Sequence, residues 1–277
     1  MGMRASVKAL EAAGMAPEEI DMVLVTTASP DYAYPSTACL IQAGLGMKGG
    51  IAIDISVACT GLAFALDMAW RYLETGDVKN ILVVSAETLT QGVDYADRST
   101  AVLFGDGAGA CIVSQGEGIF SASISSDPEG IRHLYRRYQR NCHVFSDNSD
   151  TSEYDLFPIE KIGTAFMNGR EVYKFATRAM PQAVRTACGR VGMTPEELDL
   201  IIPHQANLRI IETAAKNLKI EMGKMCVNIE KYGNTSSASI AIALDECIRE
   251  GRVKKGDKIC LVGFGAGLTY GAAVFEY

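Results

Sequence analysis

Cys59 in "SVACTG", His204 in "IIPHQAN" and Asn234 in "YGNTSSAS" are the residues of this 277-residue chain whose types and placement could do chemistry. The spacing predicts each of them where a β-like run gives way to a helix. A thiol at a helix N-terminus sits beside unsatisfied N–H groups and the positive end of the macrodipole. Both favour the thiolate and prime it to attack a thioester or carbonyl. An imidazole and a carboxamide can donate hydrogen bonds to charge developing on an oxygen. Taken singly, each has a plainer reading: buried cysteine is common packing material, a lone histidine is more often structural, and Asn234 suits a helix cap. Convergence of the three would decide for chemistry.

Other motifs carry less. Gly105-Asp106-Gly107-Ala108-Gly109-Ala110 fits a loose dinucleotide fingerprint, but that motif must open a helix, and "CIVS" follows it as a strand. With "AVLF" in front, the Asp-Gly step reads as a hairpin between two β-runs. The glycines of "GFGAGLTYGAAVFEY" lie between strands and suit close backbone approach. The basic-aromatic run Arg132 to Arg140 is followed at once by acidic "DNSDTSEYD" and reads as a solvated loop, with an acidic carrier protein or a phosphate group as its alternative ligand.

A formal charge of −7 weighs against nucleic acid or an anionic membrane as the main partner. Eight cysteines are scattered without a CxxC, and three histidines are too few to join them as ligands, so the expectation is no metal and no disulfide framework. The opening Met1-Gly2-Met3-Arg4-Ala5-Ser6 matches the short myristoylation pattern but runs straight into a helical one. With no apolar run of membrane-spanning length and no signal-peptide pattern, the chain reads as cytoplasmic.

The elements that must position the three residues come from an internal repeat. "AGMAPEEIDMVLV", Ala13 to Val25, is echoed by "VGMTPEELDLIIP", Val191 to Pro203. Each has a helix end, a Gly-Met stop, a Pro-Glu-Glu turn and a buried strand. Each is followed by a βα unit, with Leu62, Leu66, Ala69 and Leu73 at helical spacing in one, and Ile240, Ala243, Leu244 and Cys247 in the other. The implied architecture is α/β, with mainly parallel strands in two related halves, 1–115 and 116–277. Aligning the copies sets Cys59 opposite Asn234, with His204 after its strand, so all three lie at carboxyl ends of strands. The second copy is preceded by a strand-like "GIFSASISS" and a long helix from Gly169 to Arg190. The first has only the tail of such a helix and no strand before it.

"PSTACLIQAGLG", "DISVACTGLAFAL", "FGDGAGA", "PHQANLRII", "YGNTSSASIAIALDE" and "GFGAGLTYG" together resemble the motif series of the β-ketoacyl-acyl carrier protein synthase III family, which are thiolase-fold condensing enzymes. The likeness runs from about Ala5 to Tyr277 and weakens between Asp127 and Ile162. It implies a thiolase-like fold with α/β/α/β/α layers. It also implies a decarboxylative condensation of an acyl primer with malonyl-acyl carrier protein, as in initiation of fatty acid synthesis or a related pathway. Cys59 would take the acyl group from coenzyme A or a carrier thioester, making the reaction ping-pong. His204 and Asn234 would bind the malonyl thioester oxygen, and the backbone N–H groups of Cys59 and Ala266 would form a second oxyanion hole. Phe264 would shield the nucleophile. Tyr34 would reach into the acyl tunnel of a partner in a homodimer, its hydroxyl being a departure from the usual Phe. Gly169 would line the tunnel, and Arg98 and Arg209 would meet pantetheine or the carrier. The resemblance asks for no metal and no redox cofactor. Two features remain open: the tryptophan and arginine that clasp adenine in the family have no counterpart here, and Glu87 is the nearest acidic candidate for the general acid of the similar hydroxymethylglutaryl synthases. A related acyltransferase, ketide or quinolone synthase, and an inactive dimer subunit, are the competing readings.

Overall fold

The computed structural model describes residues 1–98, 100–137 and 163–277. In chain order its elements are α1 (Gly2–Ala13), β1 (Met22–Thr26), α2 (Thr37–Leu45), β2 (Ile51–Ile55), α3 (Gly61–Thr75), β3 (Asn80–Thr88), β4 (Asp106–Ser114), β5 (Phe120–Ser126), β6 (Leu134–Arg136), β7 (Ala165–Met167), α4 (Gly169–Arg190), β8 (Leu200–Pro203), α5 (Leu208–Leu218), α6 (Ile229–Tyr232), α7 (Ala238–Arg249), β9 (Lys258–Gly265) and β10 (Thr269–Glu276).

The sequence repeat is repeated in hydrogen bonds. Gly14 and Gly192 both take left-handed φ, 65° and 69°, where glycine has no Cβ to strain. The next residue closes each stop, Met15 N–H on the Leu10 carbonyl at 3.1 Å and Met193 N–H on the Cys188 carbonyl at 3.0 Å. In the Pro-Glu-Glu turns Glu19 accepts from Ala16 N–H at 2.8 Å and Glu197 from Thr194 N–H at 2.7 Å. Asp21 then accepts from Asn80 N–H at 3.0 Å and Asp199 from Lys258 N–H at 2.8 Å, tying β1 to β3 and β8 to β9 at the same register point.

One sheet has the order β2-β1-β3-β4, with β1 parallel to both neighbours and β4 antiparallel to β3. The other has the order β5-β10-β9-β8, with β8 parallel to β9 and β10 antiparallel to β9 and β5. Three apolar clusters stack them. Residues of α3 and α7 fill the space between the sheets, α1 and α2 cover the outer face of the first, and α4 and α5 cover the outer face of the second. The result is α/β/α/β/α. Leu62, Leu66, Ala69 and Leu73 of α3 are buried, as are Ile240, Ala243 and Cys247 of α7, while Leu244 is half-buried.

Two sequence expectations are corrected here. The Asp106-Gly107 step is not a hairpin: residues 101–103 form a turn, Phe104 makes a single bridge to Asn234, and β4 runs straight through Gly107 and Gly109. Glycine is needed there because α7 lies directly on the strand. A Cβ on Gly107 would fall 2.8 Å from Ile242 Cδ1, and one on Gly109 would fall 2.5 Å from Ala241 Cβ. The Arg132–Arg140 run is not simply a solvated loop either. Leu134–Arg136 pairs with Ala165–Met167 and is half-buried, while Tyr138–Arg140 lie outside the described residues. No helix among the described residues is long and apolar enough to cross a membrane.

The tightest joint is at Gly61, the first residue of α3. A Cβ there would lie 1.7 Å from Thr26 Oγ1 and 3.0 Å from Ser237 Cβ, so Gly61 sits at one of the points where the two halves touch. Gly61→Ala is expected to destabilise by about 3 kcal/mol through overpacking, a loss of roughly 5–10 °C in thermal midpoint. Gly189→Ala, inside α4 with nothing within 4 Å of the added methyl, is the control and should be neutral or slightly stabilising. Thermal denaturation of both variants checks the pair.

Candidate active site

Strand β2 delivers the chain to Cys59 through an abrupt corner. Ala58 takes φ 48°, and Ala58–Thr60 forms a 3-10 turn before α3 begins. The Thr60 hydroxyl donates to the Val57 carbonyl at 2.6 Å and lies 2.7 Å from the Thr269 hydroxyl, fastening the corner to the start of β10. The end of β9 runs directly against this corner. A Cβ on Gly265 would sit 2.7 Å from Cys59 N, and one on Gly263 would sit 3.0 Å from Cys59 O. Small residues in "GFGAG" are therefore a packing requirement.

Cys59, His204 and Asn234, though far apart in sequence, all line one cavity of about 370 Å3, together with Phe264, Ala266 and Gly169. All three members of the trio are buried. Tyr34 is 87% exposed and does not line the cavity. Arg98 and Arg209 are exposed and also outside its lining, although Asn207, which caps α5, and Ile210, next to Arg209, belong to it. The half-buried residues of β6 and β7 supply another wall.

Hydrogen bonds orient the two donors. The Ser239 hydroxyl accepts from Gln205 N–H at 3.2 Å and lies 2.7 Å from His204 Nδ1. We assign the Ser239 proton to the bond toward Nδ1, which leaves the ring proton of a neutral His204 on Nε2. Burial holds His204 neutral, lowering its pKa to about 3, with a hydrogen bond to the Ser236 backbone working weakly the other way. The Phe264 ring meets the imidazole edge-on, with centroids 5.4 Å apart. Asn234 Oδ1 accepts from Ser236 N–H at 2.8 Å, which leaves its amide protons as donors. This bond also corrects the cap expectation, because α7 starts only at Ala238, with Ser237 at the cap position.

The thiol expectation is corrected as well. Cys59 precedes α3 rather than opening it, and it is buried. Burial pushes its thiol up to about 12. A hydrogen bond from the Ser236 hydroxyl, 3.3 Å from Sγ, pulls it down, and the charge of Glu87 pushes it up again. Desolvation is the largest of these influences, and it favours the neutral thiol.

Ser236, Ser237 and Ser239 escaped the sequence reading, although the serine run after Asn234 was the available signal. Glu87, at the end of β3, proves to be 1% exposed and hydrogen-bonded from both halves. One carboxylate oxygen accepts from the Ser237 hydroxyl at 2.8 Å, and the other from the Ser29 hydroxyl at 2.7 Å and Ala28 N–H at 3.0 Å. Burial raises its pKa against those hydrogen bonds.

The profile of the 3-oxoacyl-acyl-carrier-protein synthase III family matches residues 53–128, and that of its C-terminal part matches residues 188–277. The β-ketoacyl-acyl-carrier-protein synthase III of Caldanaerobacter subterraneus subsp. tengcongensis is 45% identical over 280 residues, covering 100% of this chain and 82% of the relative. The crystal structure of the Aquifex aeolicus 3-oxoacyl-acyl-carrier-protein synthase III superposes with a TM-score of 0.89 at 43% identity, over 100% of this chain and 83% of that one. The priming β-ketosynthase of the R1128 polyketide pathway superposes with a TM-score of 0.86 at 37% identity, over 100% and 80%. The fold is the thiolase-like one that the motif series implied.

Because the Glu87 charge helps to hold the Cys59 thiol up, removing that charge must lower the thiol pKa. Glu87→Gln, which keeps two hydrogen-bonding groups in place, is expected to move the pH profile of iodoacetamide reaction at Cys59 toward lower pH. An unchanged profile, read by intact mass against time, would show that the charge is not felt at the sulfur.

Proposed function

The chain belongs to the 3-oxoacyl-acyl-carrier-protein synthase III family, and from that premise we propose that it joins an acyl thioester primer to malonyl-acyl carrier protein with loss of carbon dioxide, initiating fatty acid synthesis or a related pathway. The observation that carries this reading is the meeting of a thiol, a neutral imidazole and a carboxamide on one buried cavity wall.

In the first half-reaction the Cys59 sulfur attacks the primer carbonyl. With its pKa near 12, it gives up its proton as the bond forms, and the departing thiolate of coenzyme A takes up a proton in exchange. The tetrahedral oxyanion is held by the N–H groups of Cys59 and Ala266. Acyl-Cys59 then waits for the malonyl thioester. As the carboxylate of that substrate leaves as carbon dioxide, the electron pair of the broken C–C bond runs onto the thioester oxygen. His204 Nε2–H and the Asn234 amide stabilise the charge there. Donors fixed in advance do this without the reorganisation water would need. The resulting carbanion attacks acyl-Cys59, and collapse of the adduct returns the sulfur. The steps ask for no metal and no redox cofactor. His204 acts as a neutral donor and not as an acid, which its burial favours.

A homodimer is part of the proposal. Strand β2 lies at the open edge of its sheet with Ile51 exposed, and Tyr34 projects from the nearby loop, unburied by its own chain. That edge fits a second copy, whose tunnel Tyr34 would then reach. Arg98 and Arg209, exposed, are the residues proposed to meet pantetheine or carrier. We place the enzyme in the cytoplasm, where both thioester substrates are found.

Intact mass after incubation with short acyl-coenzyme A thioesters should show one acyl adduct, absent in Cys59→Ala. That variant should still decarboxylate malonyl-carrier protein, because both donors remain. Asn234→Ala should slow condensation by about a hundredfold or more. A loss confined to about 1 kcal/mol of stability with normal turnover would reduce Asn234 to a turn residue. Because His204 stays neutral down to about pH 3, turnover should not fall as pH drops through the ordinary histidine range.

A further inference from the structure

Away from the cavity, Cys226 and Cys247 place their sulfurs 3.0 Å apart, both as free thiols and both buried. Their backbones belong to different layers. Cys226 is pinned beside the second sheet by its N–H on the Ile201 carbonyl at 2.9 Å, while Cys247 lies in the last turns of α7. The chain between them carries Asn234 and the serines that orient both donors. Cys226 is also coupled to the His204 side of the site, because its carbonyl accepts from Gln205 Nε2 at 3.1 Å. The mechanism above uses neither sulfur. Other core cysteines need only fill space, whereas these two approach within about 1 Å of the length of a disulfide.

We infer that Cys226 and Cys247 form an oxidisable dithiol site, closed to a disulfide by hydrogen peroxide, that clamps the Asn234-bearing segment to the sheet. Of the pair, Cys247 is the better first nucleophile. The hydrogen bond they share sets the two apart, lowering the pKa of Cys247 and raising that of Cys226, while the Arg252 guanidinium, held by the Gly223 and Met225 carbonyls, lowers both. The Cys247 sulfur attacks one peroxide oxygen, the O–O bond breaks, and one water leaves after protonation, giving the sulfenic acid. The Cys226 sulfur then attacks the Cys247 sulfur. The S–S bond forms as the S–O bond breaks, and the hydroxyl leaves as a second water with the Cys226 proton. Two thiols and one peroxide become one disulfide and two waters, the sulfurs losing the two electrons the peroxide gains. Cross-linking a loop of about twenty residues restricts the unfolded chain.

The two cysteines fall in adjacent tryptic peptides, Met225–Lys231 and Tyr232–Arg249. The full chain is treated with hydrogen peroxide, quenched in acid, unfolded, alkylated and digested without reductant. The expected product is these two peptides joined, two hydrogens lighter than their sum, separated by dithiothreitol and absent from Cys247→Ser. The oxidised wild type, but not oxidised Cys226→Ala, should melt about 5 °C higher. Recovery of both cysteines alkylated, while Cys59 alone is oxidised, would overturn the site. A joined peptide with no rise in melting temperature would overturn the clamp.

Discussion

Closeness of backbone at the junction of the two halves is the constraint on which the rest depends. Gly61 admits Thr26 and Ser237, and Gly263 and Gly265 admit the corner that carries Cys59. Without these contacts α3 and α7 could not share one layer between the sheets, and the donors on one side would not face the thiol on the other. Glu87 reinforces the same junction from within, its two oxygens taking hydrogen bonds from opposite halves. A buried carboxylate so placed is tolerable only because each oxygen has a partner.

Burial then sets the electrostatics. The same desolvation that pushes the Cys59 thiol up pulls the His204 imidazole down, so the resting pocket presents neutral groups where isolated residues would be partly charged. Charge enters only with the reaction, first on the primer carbonyl oxygen and later on the malonyl oxygen. Donors fixed beforehand by Ser236 and Ser239 have nothing to rearrange when it does.

Much of the fold was legible from sequence because it rests on local signals. Gly-Met stops, Pro-Glu-Glu turns and apolar spacing define α1, α4, β1 and β8 without reference to anything distant. The two copies also made the shared location of Cys59, His204 and Asn234 readable as a matter of topology. Distance effects were harder. Glycines within β4 were mistaken for a turn because the reason for them is a helix lying on the strand, more than a hundred residues later in the chain. The thiol was expected to be acidic because a helix end is visible in sequence and the depth of burial is not. The serines after Asn234 look like ordinary polar filler until His204 and Cys59 are seen beside them.

The duplicated hydrogen bonds around Asp21 and Asp199 mark two copies of one motif that carry different side chains to the site. One copy of the motif contributes the sulfur, and the other contributes the imidazole and the amide. A lone copy has either an attacking atom or the groups that tame the charge, never the full complement. The chamber therefore exists only where the two copies meet, with the sulfur supplied from one side and the imidazole and amide from the other.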